Sequence, residues 1–336
     1  MLGSSLIINH FRMNRFSIFR ISKFILIYLI TVFSSNFSSA QGFEGYYQNP
    51  TIYNNTIIFV AEGDLWMVPL NGGLAQRLTT HPEEENFPSI SPDGKTIAFS
   101  ASYEGPMEVY TMPIEGGLPT RWTYENDASV VNSWTPDGKL IYSTRAYSKV
   151  PDKQIVAIDL LTKQKTKIPL AQASEAAYDD TGKTVYFVRP AYHRNVTKRY
   201  KGGTARQIWK FTQRTNEAVK LTKNYLGGNH HPIWFSGRIY FITDRDGMMN
   251  IWSMSESGED LKQHTYHKEF DVRSASISNG NIVYQIAADL WHFNITSNET
   301  KKINIKLVSD LDQLREKWDD NPSKYITSTH TDPKGE

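Results

Sequence analysis

The chain has 336 residues, and its 37 Lys and Arg against 35 Asp and Glu give a formal net charge of only +2. This balance argues against a protein that binds nucleic acid over its whole surface, and the absence of cysteine excludes disulfides, thiolate catalysis and Cys-ligated zinc or iron–sulfur sites. Aromatic residues make up 12% of the chain, which is typical of a strand-rich protein.

The first predicted element is a targeting segment, residues 1–41. It begins with a basic region that contains Arg12, Arg15, Arg20 and Lys23. An apolar run of ten residues follows at 24–33, well short of the ~20 needed to span a bilayer. A small-residue site then ends at Ala40, before Gln41. This order predicts a secretory signal peptide and an exported protein, periplasmic or secreted; an uncleaved membrane anchor is the alternative, and Met13 is a second candidate for the start.

From Gly45 onward, a unit of about forty residues occurs six times. Each unit contains a strand with a large residue at its centre, and these residues are Trp66, Tyr110, Val156, Trp209, Trp252 and Trp291. Their spacings are 44, 46, 53, 43 and 39 residues. Upstream of each centre lies a turn such as SPDGK followed by a β-branched run, and downstream come a short turn and a closing strand.

Each unit therefore predicts about four strands joined by hairpins. A four-stranded antiparallel sheet of this size cannot bury both faces alone, so it must stack on its neighbours, and radial closure of six units gives a propeller. A run of sandwich domains is the alternative, but one unit is too small to fold by itself. We expect an all-β, six-bladed β-propeller over residues 42–307.

The ends of the repeat array predict how the ring closes. Blade 1 has its own leading strand at residues 46–53, and blade 6 has its own last strand at 300–306. No strand is left over to complete a shared blade. We therefore expect closure by packing of blade 6 on blade 1, without a strand clasp.

Residues 308–336 are predicted to be a connector and the start of a second, truncated propeller. The connector is charged, and the stretch YITSTHTDPKG after it restates the strand-turn pattern of the blades. We therefore expect this chain to be the front of a longer protein.

The stretch RYKGGTARQIW at residues 199–209 is the candidate contact site. Arg194, Lys198, Arg199 and Lys201 surround a Gly-Gly pair, in an insertion that lengthens one spacing to 53 residues. A loop for phosphate or nucleic acid is one reading, but the near-neutral charge balance gives it little support. We expect a rim insertion of blade 4 that contacts an acidic partner surface or a peptide carboxylate.

No catalytic, cofactor or metal motif stands out elsewhere. His230 and His231 are adjacent and would point to opposite faces of a strand. His264 and His267 are the other close pair. The stretch DRDGMMN at residues 244–250 resembles part of a calcium loop but falls where a blade needs a hairpin turn. Glu83, Glu84 and Glu85 predict a solvated connector between blades, and we assign no metal or cofactor.

Several stretches resemble the N-terminal propeller of tricorn-type proteases. They are IIFVAEGDLWMVPLNGGLAQRLTTHPEEE, FPSISPDGKTIAFSASYEGPMEVYTMPIEGG, RYKGGTARQIW and RIYFITDRDGMMNIWSMSESGEDLKQHT. The resemblance covers about residues 45–310 and implies a modular S41 serine peptidase, with a seven-bladed propeller, a PDZ module and catalytic segments further on. The catalytic positions of the family lie in those segments, so no catalytic residue is assigned to this chain.

The resemblance implies that the ring gates or conducts peptides and that the protein assembles into larger homo-oligomers. Archetypal members are cytosolic, whereas this chain carries an export signal. The first hypothesis is therefore the non-catalytic propeller of an exported tricorn-like protease. The second is a TolB-like propeller that binds protein partners without peptidase activity, and the third, with least support, is an enzyme that uses the central pocket.

Overall fold

The fold is all-β, as the sequence predicts. The computed structural model describes residues 42–190, 198–311, 316, 318 and 322–334. These residues form six four-stranded antiparallel sheets, and their only helical segment is the 3₁₀ turn Pro322–Tyr325. No helix in this part of the chain is long and apolar enough to cross a membrane. The predicted signal peptide, with its cleavage site at Ala40 and Gln41, lies outside the described residues.

Each blade consists of strands that follow one another in the chain. Blade 1 contains β1 (Gln48–Tyr53), β2 (Thr56–Ala61), β3 (Asp64–Pro69) and β5 (Gln76–Arg77), with β4 (Gly73–Leu74) just before β5. Blade 2 contains β6 (Glu85–Ile90), β7 (Thr96–Ala101), β8 (Glu108–Pro113) and β9 (Thr120–Arg121). Blade 3 contains β10 (Val130–Trp134), β11 (Leu140–Thr144), β12 (Gln154–Ile158) and β13 (Lys165–Lys167).

The other three blades repeat this order. Blade 4 contains β14 (Ser174–Tyr178), β15 (Thr184–Arg189), β16 (Gln207–Thr212) and β17 (Glu217–Lys220). Blade 5 contains β18 (Asn229–Phe235), β19 (Arg238–Thr243), β20 (Asn250–Ser255) and β21 (Lys262–Gln263). Blade 6 contains β22 (Val272–Ser278), β23 (Asn281–Ile286), β24 (Asp289–Asn294) and β25 (Glu299–Lys302), and β26 (Ile305–Lys306) follows it. First strands of neighbouring blades contact each other around the ring, so they are innermost.

The predicted centre of each third strand pairs with an aromatic residue of the second strand. The pairs are Phe59 with Trp66, Phe99 with Tyr110, Tyr142 with Val156, Phe187 with Trp209, Phe241 with Trp252 and Tyr284 with Trp291. Cross-strand pairs of this kind stabilise a sheet beyond its backbone ladder. The recurring large residue in the sequence therefore marks one position in the middle of every blade.

The core of the ring is distributed between the blades. The buried apolar side chains of the described residues form six clusters, one at each junction of neighbouring blades. At the junction of blades 1 and 2, for example, Ile58 and Leu65 pack with Phe99 and Met112. Because these clusters are shared by two sheets, no blade has a core of its own.

One backbone hydrogen bond is repeated at every junction, including that of blades 6 and 1. The carbonyl just before each third strand accepts from an N–H at or near the start of the next first strand. The bonds run from Glu85 to Gly63 (2.8 Å), Ser129 to Met107 (2.7 Å), Ala173 to Lys153 (2.8 Å), Asn229 to Arg206 (2.9 Å), Val272 to Met249 (2.9 Å) and Tyr47 to Ala288 (2.9 Å). The last of these bonds gives the junction of blades 6 and 1, which we call the seam, the same link as the other five junctions.

The closure predicted from the sequence needs one correction. All four strands of each blade are its own, as expected, but the predicted last strand at 300–306 divides in two. Its first part is β25 of blade 6, whereas β26 pairs in parallel with β4 of blade 1. Phe43 and Leu307 also exchange two backbone hydrogen bonds, 2.9 and 2.8 Å long. A short strand pairing therefore does cross the seam.

The apolar side chains after β25 explain this division. Ile303, Ile305 and Leu307 alternate along the chain, and all three are at most 2% exposed in the cluster between blades 1 and 6. Their burial requires the chain to leave blade 6 and lie along blade 1. The period-two pattern was correctly predicted as extended, but the sequence does not show which sheet it joins.

After Leu307, Ser309 donates a hydrogen bond to the carboxylate of Glu62. Residues 326–332 form no strand, and the N–H of Lys334 donates to the carboxylate of Asp332 (2.9 Å) in a turn. A second propeller beginning in this segment stays a prediction.

Substitution of Tyr47 tests how much its hydrogen bonds stabilise the seam. Its buried hydroxyl accepts from the N–H of Gly45 (2.8 Å) and donates to the carbonyl of Ile305 (2.9 Å). Because Tyr47→Phe leaves both groups without this partner, we expect the free energy of unfolding to fall by about 1–2 kcal/mol in urea denaturation. Tyr46→Phe, at a side chain that is 51% exposed, is the control and should change little. Equal midpoints for the two variants would contradict the role of Tyr47 at the seam.

Candidate functional site at the ring axis

Every innermost strand contains a shift in register in its middle part. In each shift one or two residues have no partner in the second strand, and we call the first such residue of each blade the axial ring: Asn49, Phe87, Asn132, Glu175, His231 and Arg273. A β-bulge inserts an extra residue, bends its strand and re-aims a side chain. The six bulges therefore place one residue from each blade at comparable positions on the first strands, which form the ring's inner wall.

Four axial-ring residues have left-handed backbone conformations. The φ angles of Asn49, Phe87, Glu175 and His231 lie between 47° and 55°. Asparagine tolerates this region, but Phe, Glu and His adopt it at a cost of roughly 1–2 kcal/mol each. Backbone strain of this kind is concentrated at functional sites in proteins.

Three neighbouring axial-ring side chains bind the backbone of the next blade. Asn132 accepts from the N–H of Ala176 (3.4 Å), and Glu175 accepts from the N–H of His231 (2.7 Å). The Nε2 atom of His231 lies 2.5 Å from the carbonyl oxygen and 3.2 Å from the N–H nitrogen of Ala275. Blades 3, 4, 5 and 6 are thus joined through polar side chains at the axis.

Glu175 is the charged centre of this network. Its second carboxylate oxygen accepts from Arg206 (2.7 Å), whose side chain is only 6% exposed. Burial by itself raises the pKa of Glu175, but Arg206, His231 and Lys153 together hold the pKa below its ordinary value. The carboxylate therefore remains ionised and paired at neutral pH.

His230 lies behind Glu175, between blades 4 and 5. It is fully buried, and neither ring nitrogen has a hydrogen-bond partner among the described residues. Its Nδ1 atom is 4.0 Å from the nearer oxygen of Glu175. Burial lowers the pKa of His230 well below the ordinary value, and the charges of Arg206 and His231 lower it further. The imidazole is therefore neutral at neutral pH.

The structure separates the other histidine pair. His264 lies 2.8 Å from the hydroxyl of Ser253, whereas His267 lies 3.1 Å from the hydroxyl of Tyr284. No group of three or more potential metal ligands occurs among the described residues. In the loop that resembles a calcium site, Asp244 accepts from Tyr225, Gly228 and Arg199.

Glu85 corrects the reading of the acidic connector. It is the first residue of β6 and is completely buried. Its carboxylate accepts from the N–H of Leu65 (3.1 Å) and from the hydroxyls of Thr79 and Tyr103. Burial raises the pKa of Glu85 to about 7, against the effect of these donors. Only Glu83 and Glu84 are exposed as the sequence predicted.

The predicted contact residues of blade 4 lie against blade 5. Lys198 forms an ion pair with Asp271 (3.0 Å). Arg199 donates its backbone N–H to Asp244 (2.5 Å) and its Nε–H to the carbonyl of Gly247 (3.2 Å). Lys201 is exposed, and Arg194 lies outside the described residues. The insertion is thus held on the neighbouring blade through two of its basic residues.

Sequence reasoning did not find the axial ring as a set. Its residue types share no chemistry, and only the strand register shows that they are equivalent. A usable signal exists in blades 2 to 6, because each axial-ring residue lies six or seven positions before the glycine of the following turn. Phe87 and Gly94 illustrate this offset.

Comparisons with known proteins agree with this geometry. The model of the tricorn protease N-terminal β-propeller domain matches residues 44–299. This chain belongs to that family. Tricorn protease homolog 1 of Streptomyces coelicolor is 30% identical over 266 residues, which cover 78% of this chain and 25% of the relative. The propeller thus spans about a quarter of that tricorn homolog.

A solved structure of a tricorn protease gives the same assignment. The crystal structure of the tricorn protease superposes with a TM-score of 0.71 and 25% identity, over 80% of this chain and 27% of that chain. A protein described as TolB from Agrobacterium tumefaciens has a TM-score of 0.56 and 18% identity, over 74% of this chain and 86% of that chain. The second likeness shows the fold alone.

The neutral state of His230 predicts a loss of stability in acid. In the unfolded chain its pKa is about 6.5, and folding depresses it, so its contribution is present above that value and is lost as the pH falls. Between pH 7.5 and 5.5 this amounts to about 1 kcal/mol. We expect His230→Phe to lose less stability over this interval than the parent protein in denaturant unfolding.

His330→Phe, at an exposed position, provides the comparison for the loss of a histidine as such. If both variants lose as much stability as the parent protein between the two pH values, His230 is not the cause of the loss of stability in acid.

Proposed function

We propose that this propeller is the non-catalytic part of an exported tricorn-like serine protease. In this proposal the ring gates or channels peptides to S41 catalytic domains that belong to the same longer protein. The observation that carries it is the family match over residues 44–299, in a chain that covers only about a quarter of its tricorn homolog.

The axial ring supports a role in passing polypeptide. Its side chains include amides, a carboxylate, an imidazole and a guanidinium, at Asn49, Asn132, Glu175, His231 and Arg273. An extended peptide presents N–H and C=O groups along its whole length, and such groups need polar partners when they leave water. The ring side chains of blades 3 to 5 are already fixed to neighbouring blades, so a peptide that uses their remaining hydrogen-bonding capacity does not have to order them.

Export is a part of the proposal that the basic and apolar pattern of residues 1–41 supports. The alternative is a TolB-like module that binds protein partners and belongs to no peptidase. The likeness to TolB is one of fold, so it does not favour this alternative over the first.

Association with a peptidase is the first test. The protein, tagged at an internal turn of the propeller, is purified from its own cells with its partners or remaining domains, and hydrolysis of fluorogenic peptides is measured. We expect peptidase activity that an inhibitor of serine nucleophiles abolishes. Preparations that contain the propeller but never hydrolyse peptides would sink the proposed membership of a protease and favour the binding module.

A plug at the axis tests the gate in the same preparation. The propeller contains no cysteine, so Phe87→Cys, at an axial-ring residue that is 39% exposed, can be biotinylated and capped with streptavidin. We expect capping to slow peptide hydrolysis several-fold, because substrate must pass the inner wall. Leu161→Cys, at an outer turn where the side chain is 95% exposed, is the matched control. If capping at Phe87 is as harmless as capping at Leu161, peptides do not pass through the ring.

A further inference from the structure

On one face of the ring, acidic and basic side chains lie on different blades. Because neighbouring strands are antiparallel, the connections from second to third strands and from each fourth strand to the next blade emerge at the same end, which we call the upper face. On blades 1 and 2 its carboxylates include Glu62, Glu83, Glu84, Glu104, Glu125 and Asp127. On blades 3 and 4 its cations include Arg145, Lys149, Arg189, Lys201 and Lys223.

The cations of blades 3 and 4, which we call the basic sector, include three without partners. Lys149, Lys201 and Lys223 are exposed, and none of their side chains forms an ion pair or hydrogen bond with the described residues. Arg145 and Arg189 are engaged, since Arg145 lies 3.5 Å from Asp127 and Arg189 donates to Gln172 (2.9 Å). The basic sector thus presents three lysines at one end of two adjacent blades.

The basic sector also extends inward toward the axis. Lys153 precedes β12 in the same way as Arg206 precedes β16, and both lie near Glu175. The ammonium of Lys153 forms no hydrogen bond with the described residues although the residue is half-buried, and desolvation lowers its pKa. Arg206 is neutralised by Glu175, so Lys153 is the inner cation that a ligand could pair.

Exposed apolar side chains lie among these lysines. Val150 follows Lys149, Tyr200 precedes Lys201, and Leu226 is three residues after Lys223, with exposed fractions of 40%, 38% and 59%. A surface that alternates cations with apolar groups fits a polypeptide that alternates carboxylates with apolar side chains.

We propose that the basic sector binds an extended acidic polypeptide segment that carries interspersed apolar residues. The segment lies across the upper face of blades 3 and 4, its carboxylates paired with Lys149, Lys201 and Lys223. This binding does not require a protease to be attached, so its test is independent of the proposed function.

Two other partners fit the charges less well. A nucleic acid extends its negative charge over a long distance, and the carboxylates of blades 1 and 2 would repel it as soon as it left the basic sector. A second copy of this propeller could oppose its acidic half to the basic half. However, Glu104 and Asp127 are already paired with Arg121 and Arg145, which leaves few free carboxylates for that contact.

The test measures peptide binding to the whole chain by fluorescence anisotropy. The probe is a labelled peptide of about twelve residues built from Asp, Glu, Leu and Ser, at two salt concentrations. For the triple variant Lys149→Glu, Lys201→Glu, Lys223→Glu, we expect affinity to fall at least about tenfold and its salt dependence to shrink. The milder triple change to Gln should also weaken binding. It removes the three charges without reversing them, so it shows the effect even if the charge-reversed protein misfolds.

The matched control reverses three exposed lysines in turns of the opposite face: Lys95, Lys163 and Lys183. Both triple variants change the net charge equally, so the control should retain the parent affinity. If both triple variants lose the same affinity, the effect is due to net charge alone, and the basic sector is not a binding site. Tighter binding of a single-stranded oligonucleotide of the same length would replace the polypeptide by nucleic acid and overturn the proposal as well, as would unchanged peptide affinity in the Glu variant.

Discussion

Each blade of this ring has two apolar faces, and no single blade can cover both. The second strands show the constraint most clearly, since all five residues of β11 are buried and β7 is buried from its second residue onward. A sheet with this pattern is stable only between two others, and a closed ring is the arrangement in which every sheet has two neighbours. Six shared clusters, one at each junction, are the result.

Closure places its own demands on the ends of the chain. Blade 1 and blade 6 must form a junction as good as the other five, although no loop connects them. The backbone bond from Tyr47 to Ala288 reproduces the link found elsewhere, and Ile303, Ile305 and Leu307 extend the apolar cluster beyond blade 6. The parallel pairing of β26 with β4 follows from that burial. The seam therefore combines shared packing with a strand contact, although every blade keeps its four strands.

The sequence is sufficient for the features that depend on local pattern. The large residues from Trp66 to Trp291 mark the third strands correctly because one pair position recurs in each blade. The features it does not show depend on register or on contacts between distant segments. Glu85 stands beside two solvated glutamates, yet it is buried, and the hydroxyls of Thr79 and Tyr103 donate to it from the connections after β5 and β7. The sequence does not show the axial-ring bulges either, because a shift in strand pairing leaves no mark in the residue types of the strand.

The same limit applies to charge. A formal net charge of +2 excludes a uniformly basic surface, but it does not describe how the charges are arranged. Folding places Lys149, Lys201 and Lys223 at one end of blades 3 and 4 and a group of carboxylates at the same end of the neighbouring blades 1 and 2. It also removes two cations that looked available, because Asp271 pairs with Lys198 and the loop of blade 5 holds Arg199. Those residues fix the insertion on its neighbour, and the lysines around it remain free to meet a ligand. The rigid ring thus arranges a nearly balanced set of charges into a face with a basic part and an acidic part. Recognition of a charged polypeptide requires such a separation of charge.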